Sequence, residues 1–155
     1  MIRFRSRVFA WVMASVMALG VSVPVMAEDV GISMEKLPAK ARKVVSEVFP
    51  DTKVKKVEME RRASLIQYEV KLEGGVKLQF SKDGTFTECE VTKGEVPAKL
   101  IPAKIREQVK AEFPERKVMC IEHDNKLYEL RLDNGDELSF NSSYRLIDID
   151  RFENQ

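Results

Sequence analysis

The residues "LPAKARKVVSEVFPDTKV" (Leu37–Val54) return as "IPAKIREQVKAEFPERKV" (Ile101–Val118). A shift of 64 superposes Pro38, Ala39, Lys40, Arg42, Val45, Phe49 and Pro50 on their counterparts. Past a four-residue gap the shift becomes 60, and Tyr68, Glu69, Leu72, Gly75, Leu78 and Phe80 meet Tyr128, Glu129, Leu132, Gly135, Leu138 and Phe140. Ordered matches of this density read as an internal repeat, a unit of about sixty residues in tandem.

Each unit opens with a helix. Pro is tolerated in a first turn, and Leu37, Ala41, Val44, Val45 and Val48 recur at helical spacing, as Ile101, Ile105 and Val109 do more loosely. Phe49-Pro50 and Phe113-Pro114 end the helices, because the residue before Pro disfavours α geometry. Strands follow. "QYEVKLE" puts Tyr68, Val70 and Leu72 on one side and charges on the other, and "VKLQFS" does the same with Val76, Leu78 and Phe80. Such alternation gives a sheet with one buried and one wet face. "EGG", "KDG" and "DNG" supply tight turns. The expected architecture is α+β: a tandem duplication of a helix plus a four-stranded antiparallel sheet, with the helices on one face. One unit alone would be marginal, so two share a core. The boundaries are 33–95 and 96–155, within a single domain over 28–155.

The first 27 residues read as a signal peptide. Arg3, Arg5 and Arg7 precede an apolar run that closes in a small-x-small end at Val25 and Ala27. Cleavage after Ala27 and a periplasmic location are expected. The remaining 128 residues hold 23 basic and 25 acidic side chains, a net charge of −2. That balance argues against nucleic acid as a partner, and no later segment is apolar enough for membrane insertion after cleavage. Oligomeric state is open.

Catalytic constellations are scarce. His123 is the only histidine and aligns with Met59 at a strand end, where it reads as an edge residue. There is no Gly-rich phosphate loop and no Cys-x-x-Cys motif. Acids in "ECE" and "DIDRFE" alternate along strands as a solvated face rather than a calcium loop. No cofactor and no metal is expected. By alternation Cys89 and Cys120 fall on opposite faces, which disfavours a bridge.

The chain resembles the PepSY-like, β-lactamase-inhibitor-like family of exported bacterial proteins. The "P-A-K" helix starts, the "E-V-F-P" and "A-E-F-P" helix ends, and the "Y-E-V-K-L" and "Y-E-L-R-L" strands carry the resemblance, over about Leu37 to Arg151. It implies a two-repeat fold and a binding or inhibitory role. The inhibitors after which the fold is named bind through an aromatic-rich sheet face. Here the wet face is mainly Lys, Glu, Asp, Gln and Ser, which argues against direct β-lactamase inhibition.

The expected function is a non-enzymatic binding module that engages a protein or peptide partner in the cell envelope through the outer sheet face. Alternation puts Phe86 and Leu146 on that face as apolar anchors at repeated positions, with Tyr144 beside them and Lys71 and Arg131 as orienting charges. A small-ligand or envelope-stress sensor, or an enzyme using carboxylates alone, is the alternative.

Overall fold

A computed structural model describes residues 28–62 and 65–152. The signal peptide and its cleavage point after Ala27 lie outside the described residues. The order is β1 (Glu28–Gly31), α1 (Ala39–Val48), β2 (Val54–Arg62), β3 (Leu65–Leu72), β4 (Val76–Ser81), β5 (Phe86–Val91), α2 (Ala103–Glu112), β6 (Val118–His123), β7 (Leu127–Leu132), β8 (Glu137–Asn141) and β9 (Leu146–Asp150). Short 3-10 turns at Met34–Lys36 and Ala98–Leu100 lead into the helices. The strands pair in sequence order as one nine-stranded antiparallel sheet. Each helix thus precedes four strands, and the chain before α1 adds β1 to the edge.

Both helices cover the same face. Leu37, Ala41 and Val45 from the α1 region and Ile101, Ile105 and Val109 from the α2 region join Val57, Val70, Leu78, Phe80, Ile121, Leu130, Leu138 and Phe140 in one buried cluster. Alternation is the cause: Val57 pairs with Val70 and Val70 with Leu78, while Ile121, Leu130 and Leu138 form the matching row. Each helix ends where expected, with the Phe49 and Phe113 N–H groups donating to Val45 and Val109 carbonyls at 2.9 and 2.7 Å.

Four ladders depart from strict alternation, in two matching pairs: β2–β3 shifts between Val54 and Lys56 and β6–β7 between Val118 and Cys120, and the other pair decides the placing of two apolar side chains. The β4–β5 ladder shifts between Gln79 and Phe80, so Glu88 pairs with Gln79 but Phe86 pairs with Phe80. The β8–β9 ladder shifts at the matching place, so Leu146 pairs with Phe140. A bulge inserts one residue and turns the side chains beyond it to the other face. Phe86 and Leu146 therefore lie on the helix side, packed against the core. The expectation that they anchor the outer face is corrected by these bulges.

Cys89 and Cys120 are both buried and free. Cys89 faces the core between Leu78 and Ile121. Cys120 lies on the outer face between Glu90 and Arg131. The ion pair from Arg131 to Glu90, 2.6 Å long, arches over its small side chain. Burial pushes both thiols up, Cys89 to about 12, which leaves them unreactive.

Candidate functional site

The tight turn before the last strand of each half uses one residue in the left-handed region. In the first half it is Gly84, φ +84°, beneath the start of α1. A Cβ there would stand 2.6 Å from the Pro38 Cβ, so only glycine fits. In the second half the same place holds Tyr144, φ 62°, the only non-glycine residue with positive φ among those described. A bulky aromatic in this conformation is a true outlier, costing about 1–3 kcal/mol.

Neighbours hold it there. The Tyr144 N–H donates to the Asn141 carbonyl at 2.8 Å. The Asn141 Oδ1 accepts from the Ser143 and Arg145 N–H groups, each at 3.0 Å. Gln108 reaches down from α2, its Nε2 donating to the Tyr144 carbonyl at 2.6 Å and its Oε1 accepting from the Leu146 N–H at 3.4 Å. The residue matching Gln108 in the first half is Val44, which offers no such bonds.

The Tyr144 ring is spent on an aromatic stack. It packs against Tyr128 with centroids 5.4 Å apart, and Tyr128 stacks on His123 at 4.2 Å and 20°. Burial and the neighbouring Tyr144 raise the Tyr128 phenol above its ordinary range. With Phe86, Ile101 and Arg106 these rings line a cleft of about 490 Å³ on the helix side, between the start of β5 and the start of α2. Arg106 is exposed and makes no side-chain ion pair among the described residues. An aromatic shelf beside an uncommitted guanidinium suits a flat or apolar group that carries an anion.

The outer face is organised differently. Strand register aligns Glu58, Glu69, Gln79, Glu88, Glu122, Glu129, Ser139 and Asp148 in one row across the sheet. Lys56, Lys71, Lys77, Glu90, Cys120, Arg131, Glu137 and Asp150 form the next. Over the first strands the two rows neutralise each other. Lys56 meets Glu58 at 2.6 Å, Lys71 meets Glu69 at 2.8 Å, and Lys77 bridges Glu88 and Glu90 at 3.1 and 2.9 Å. Among the described residues Glu122 and Glu129 have no such partner. Burial, then Glu88, Glu129 and Asp124, pushes Glu122 up from an ordinary 4.5 to about 7.

This has a consequence for stability. The folded state holds the Glu122 proton more tightly than the unfolded chain does. Its contribution is thus fully present below an ordinary 4.5 and is lost as pH rises through about 7. Charged groups facing it are Glu88 from β5, Glu129 from β7, Asp124 at its own strand end and, with opposite sign, Lys77 from β4. Thermal melts should show Glu122→Gln gaining on wild type between about pH 5 and about pH 8. Parallel curves for the two proteins would refute it.

The expected site residues therefore divide. Lys71 and Arg131 stand on the outer face, already paired with Glu58, Glu69 and Glu90. Phe86 and Tyr144 come together in the cleft. Leu146 packs beside it against the core. His123, Tyr128 and Arg106 belong to the same cleft, although the sequence reading gave none of them a binding role. Their one signal was the exchange of Gly84 for Tyr144 between otherwise matching turns.

The family model described as "Putative beta-lactamase-inhibitor-like, PepSY-like" matches residues 25–88 and 66–148. The chain belongs to the PepSY-like family. Solved structures agree with it over nearly their whole length. A periplasmic protein of the DUF2874 family from Bacteroides vulgatus is 35% identical, with 80% of this chain and 98% of that one covered at a TM-score of 0.76. A "putative calcium-regulated periplasmic protein" from Bacteroides thetaiotaomicron is 36% identical, covering 79% and 97%, TM-score 0.77. A periplasmic protein of unknown function from Bacteroides vulgatus is 32% identical, covering 79% and 99%, TM-score 0.75. No curated protein matches the chain. Like these neighbours, the protein is periplasmic. No helix among the described residues is long and apolar enough to cross a membrane.

Proposed function

We propose that the protein is a non-catalytic periplasmic binding module that seizes a protein or peptide partner in the aromatic cleft. One observation carries this reading: Tyr144 holds a strained backbone conformation that the matching turn gives to glycine. Strain of that kind persists where the side chain is needed. The turn itself does not require a tyrosine, since Gly84 makes the same turn, and the ring's contact with Tyr128 only about offsets the strain. The cleft's composition supports binding, because aromatic side chains with arginine are what interface hot spots favour. Its volume suits one or two inserted side chains. The partner segment presents an aromatic or apolar side chain to Tyr128 and Tyr144, and a carboxylate to Arg106. Occupying that segment would make the module inhibitory or regulatory.

The cleft also gives a reason for the architecture. Phe86 comes from the first helix-and-sheet unit, and Tyr128 and Tyr144 come from the second. Matching registers and bulges in both halves support a duplicated unit, and duplication creates the junction where the cleft lies. Calcium regulation is a description of the Bacteroides thetaiotaomicron relative. Among the described residues no three His, Cys, Asp or Glu side chains are grouped to hold a metal, and this reading does not use one.

Site-specific photo-crosslinkers test the surface in intact cells. One placed at Lys99, on the cleft rim, should give a discrete adduct, and one at Lys56, on the outer face, should not. An adduct from Lys56 alone would return the working surface to the outer sheet.

A further inference from the structure

We propose that the aromatic cleft is one end of a longer groove along α2, and that its occupant is an acidic peptide segment anchored by an apolar side chain at each end. This rests on the cleft being the working surface and lengthens it. A second groove, of about 360 Å³, lies between residues 95–98 and α2. Val96, Val109, Phe113 and Val118 make its lining largely apolar. Ala98, Ile101 and Arg106 line both this groove and the cleft, so the two adjoin at the Arg106 side chain.

The two halves of the chain differ here, as they do at Tyr144. The shift of 64 sets Met34 against Ala98, Ser46 against Lys110 and Thr52 against Arg116. Met34 is half-buried and packs on the core, whereas Ala98 is small and exposed. Giving up that apolar packing is not what folding alone favours. In the first half Arg42 is engaged as well, its Nη1 donating to the Glu35 carbonyl at 3.0 Å. Its counterpart Arg106 makes no such bond among the described residues, and Lys110 has no ion-pair partner there. Arg116 stands 3.9 Å from Asp133, a loose surface contact. The second half thus trades a filling side chain for space, and two hydroxyls for cations.

Charge selects the occupant. Glu95 is the one acid among the described residues lining either groove, against Lys99, Arg106, Lys110 and Arg116. A surface of one sign attracts and orients a segment of the other. Arg106 to Phe113 spans about 10 Å of helix, which about three extended residues bridge. An acyl chain with a single carboxylate would satisfy one cation and leave the others. A peptide brings several carboxylates between its two anchors.

The test titrates the mature chain with end-capped pentapeptides, followed by calorimetry. Phe-Glu-Glu-Glu-Phe, which reads alike in either chain direction, should bind at least about tenfold more tightly than Phe-Lys-Lys-Lys-Phe, and less tightly as salt rises. Loss of one anchor, in Phe-Glu-Glu-Glu-Ser, should weaken binding by about tenfold. Glu95 and Lys110 are exposed and line the second groove but not the cleft. Lys110→Glu should weaken the acidic two-anchor peptide severalfold and Glu95→Lys should strengthen it, opposite shifts that a damaged fold does not give. Equal binding of the one-anchor and two-anchor peptides, unchanged in Lys110→Glu but weakened in Tyr144→Gly, would overturn the longer groove and leave the cleft standing. Weakening by Lys110→Glu with no effect of Tyr144→Gly would overturn the cleft, and with it the continuity of the two. No binding of any peptide at millimolar concentration, or equal binding of the acidic and basic ones, would overturn the proposal outright.

Discussion

Replacing Tyr144 by glycine should cost almost no stability and most of the binding. Relief of the left-handed conformation contributes about 1–2 kcal/mol in favour of the variant. Against it stand the lost contact with Tyr128, about 0.5–1.5 kcal/mol, and the greater freedom of glycine in the unfolded chain, about 0.5–1 kcal/mol. These nearly cancel, so the melting temperature should stay within a few degrees of wild type. Partner affinity should fall by about 2 kcal/mol or more, as for an aromatic hot spot, which is roughly thirtyfold. Tyr144→Ala separates the two effects. It loses the ring and keeps the strained backbone, so it should be the less stable of the two variants. Melting curves and cross-linking yield from Lys99 check both. Full cross-linking by the glycine variant would mean that the strain serves the turn rather than a ligand.

The second large effect is structural. The double variant Phe86→Ser/Leu146→Ser should melt far below wild type. Phe86 meets Phe80 edge-on with centroids 6.2 Å apart, and Leu146 packs against the same core. Full burial of such a side chain contributes about 1.5–3 kcal/mol, and each of these, being partly buried, falls toward or somewhat below the middle of that range, about 1.5–2.5 kcal/mol. The combined loss of roughly 3–5 kcal/mol corresponds to a fall of about 10–20 °C for a domain of this size. A double variant as stable as wild type would put both side chains back on the outer face.

That contrast shows what the amino-acid sequence made legible. Eight of the nine strands are written largely in alternation, as in "YEVKL" and "YELRL", and the helix starts and ends are written in Pro and Phe-Pro, whereas the edge strand β1, "EDVG", carries no such pattern. Bulges are not written in this way. One extra residue in "GTFTECEV" leaves the alternation of its letters intact, yet it changes which side chain meets Phe80. The faces of Phe86 and Leu146 were misread for that reason alone. Lys71 and Arg131, beyond the reach of those bulges, lie on the outer face where alternation put them.

The cleft was hidden for another reason. Its walls come from the start of β5, the segment before α2, α2 itself, the end of β6, the start of β7, and a turn before β9. No window of sequence contains them together. The acidic row has the same origin. Glu122 and Glu129 face each other across the β6–β7 hairpin, and only the β5–β6 pairing, which spans the connection between the halves, brings Glu88 into line with them. The one local clue was a tyrosine standing where its repeat partner has glycine.

The central claim is that the helix-side aromatic cleft is the working surface. The most direct measurement is an amide NMR titration of the mature protein with the partner segment recovered by cross-linking. The account predicts that the largest shifts fall on Lys99 to Arg106, His123, Tyr128 and Tyr144, and that Tyr144→Gly removes them. Shifts confined to the outer face around Lys56, Lys71 and Lys77, with the cleft silent, would contradict it.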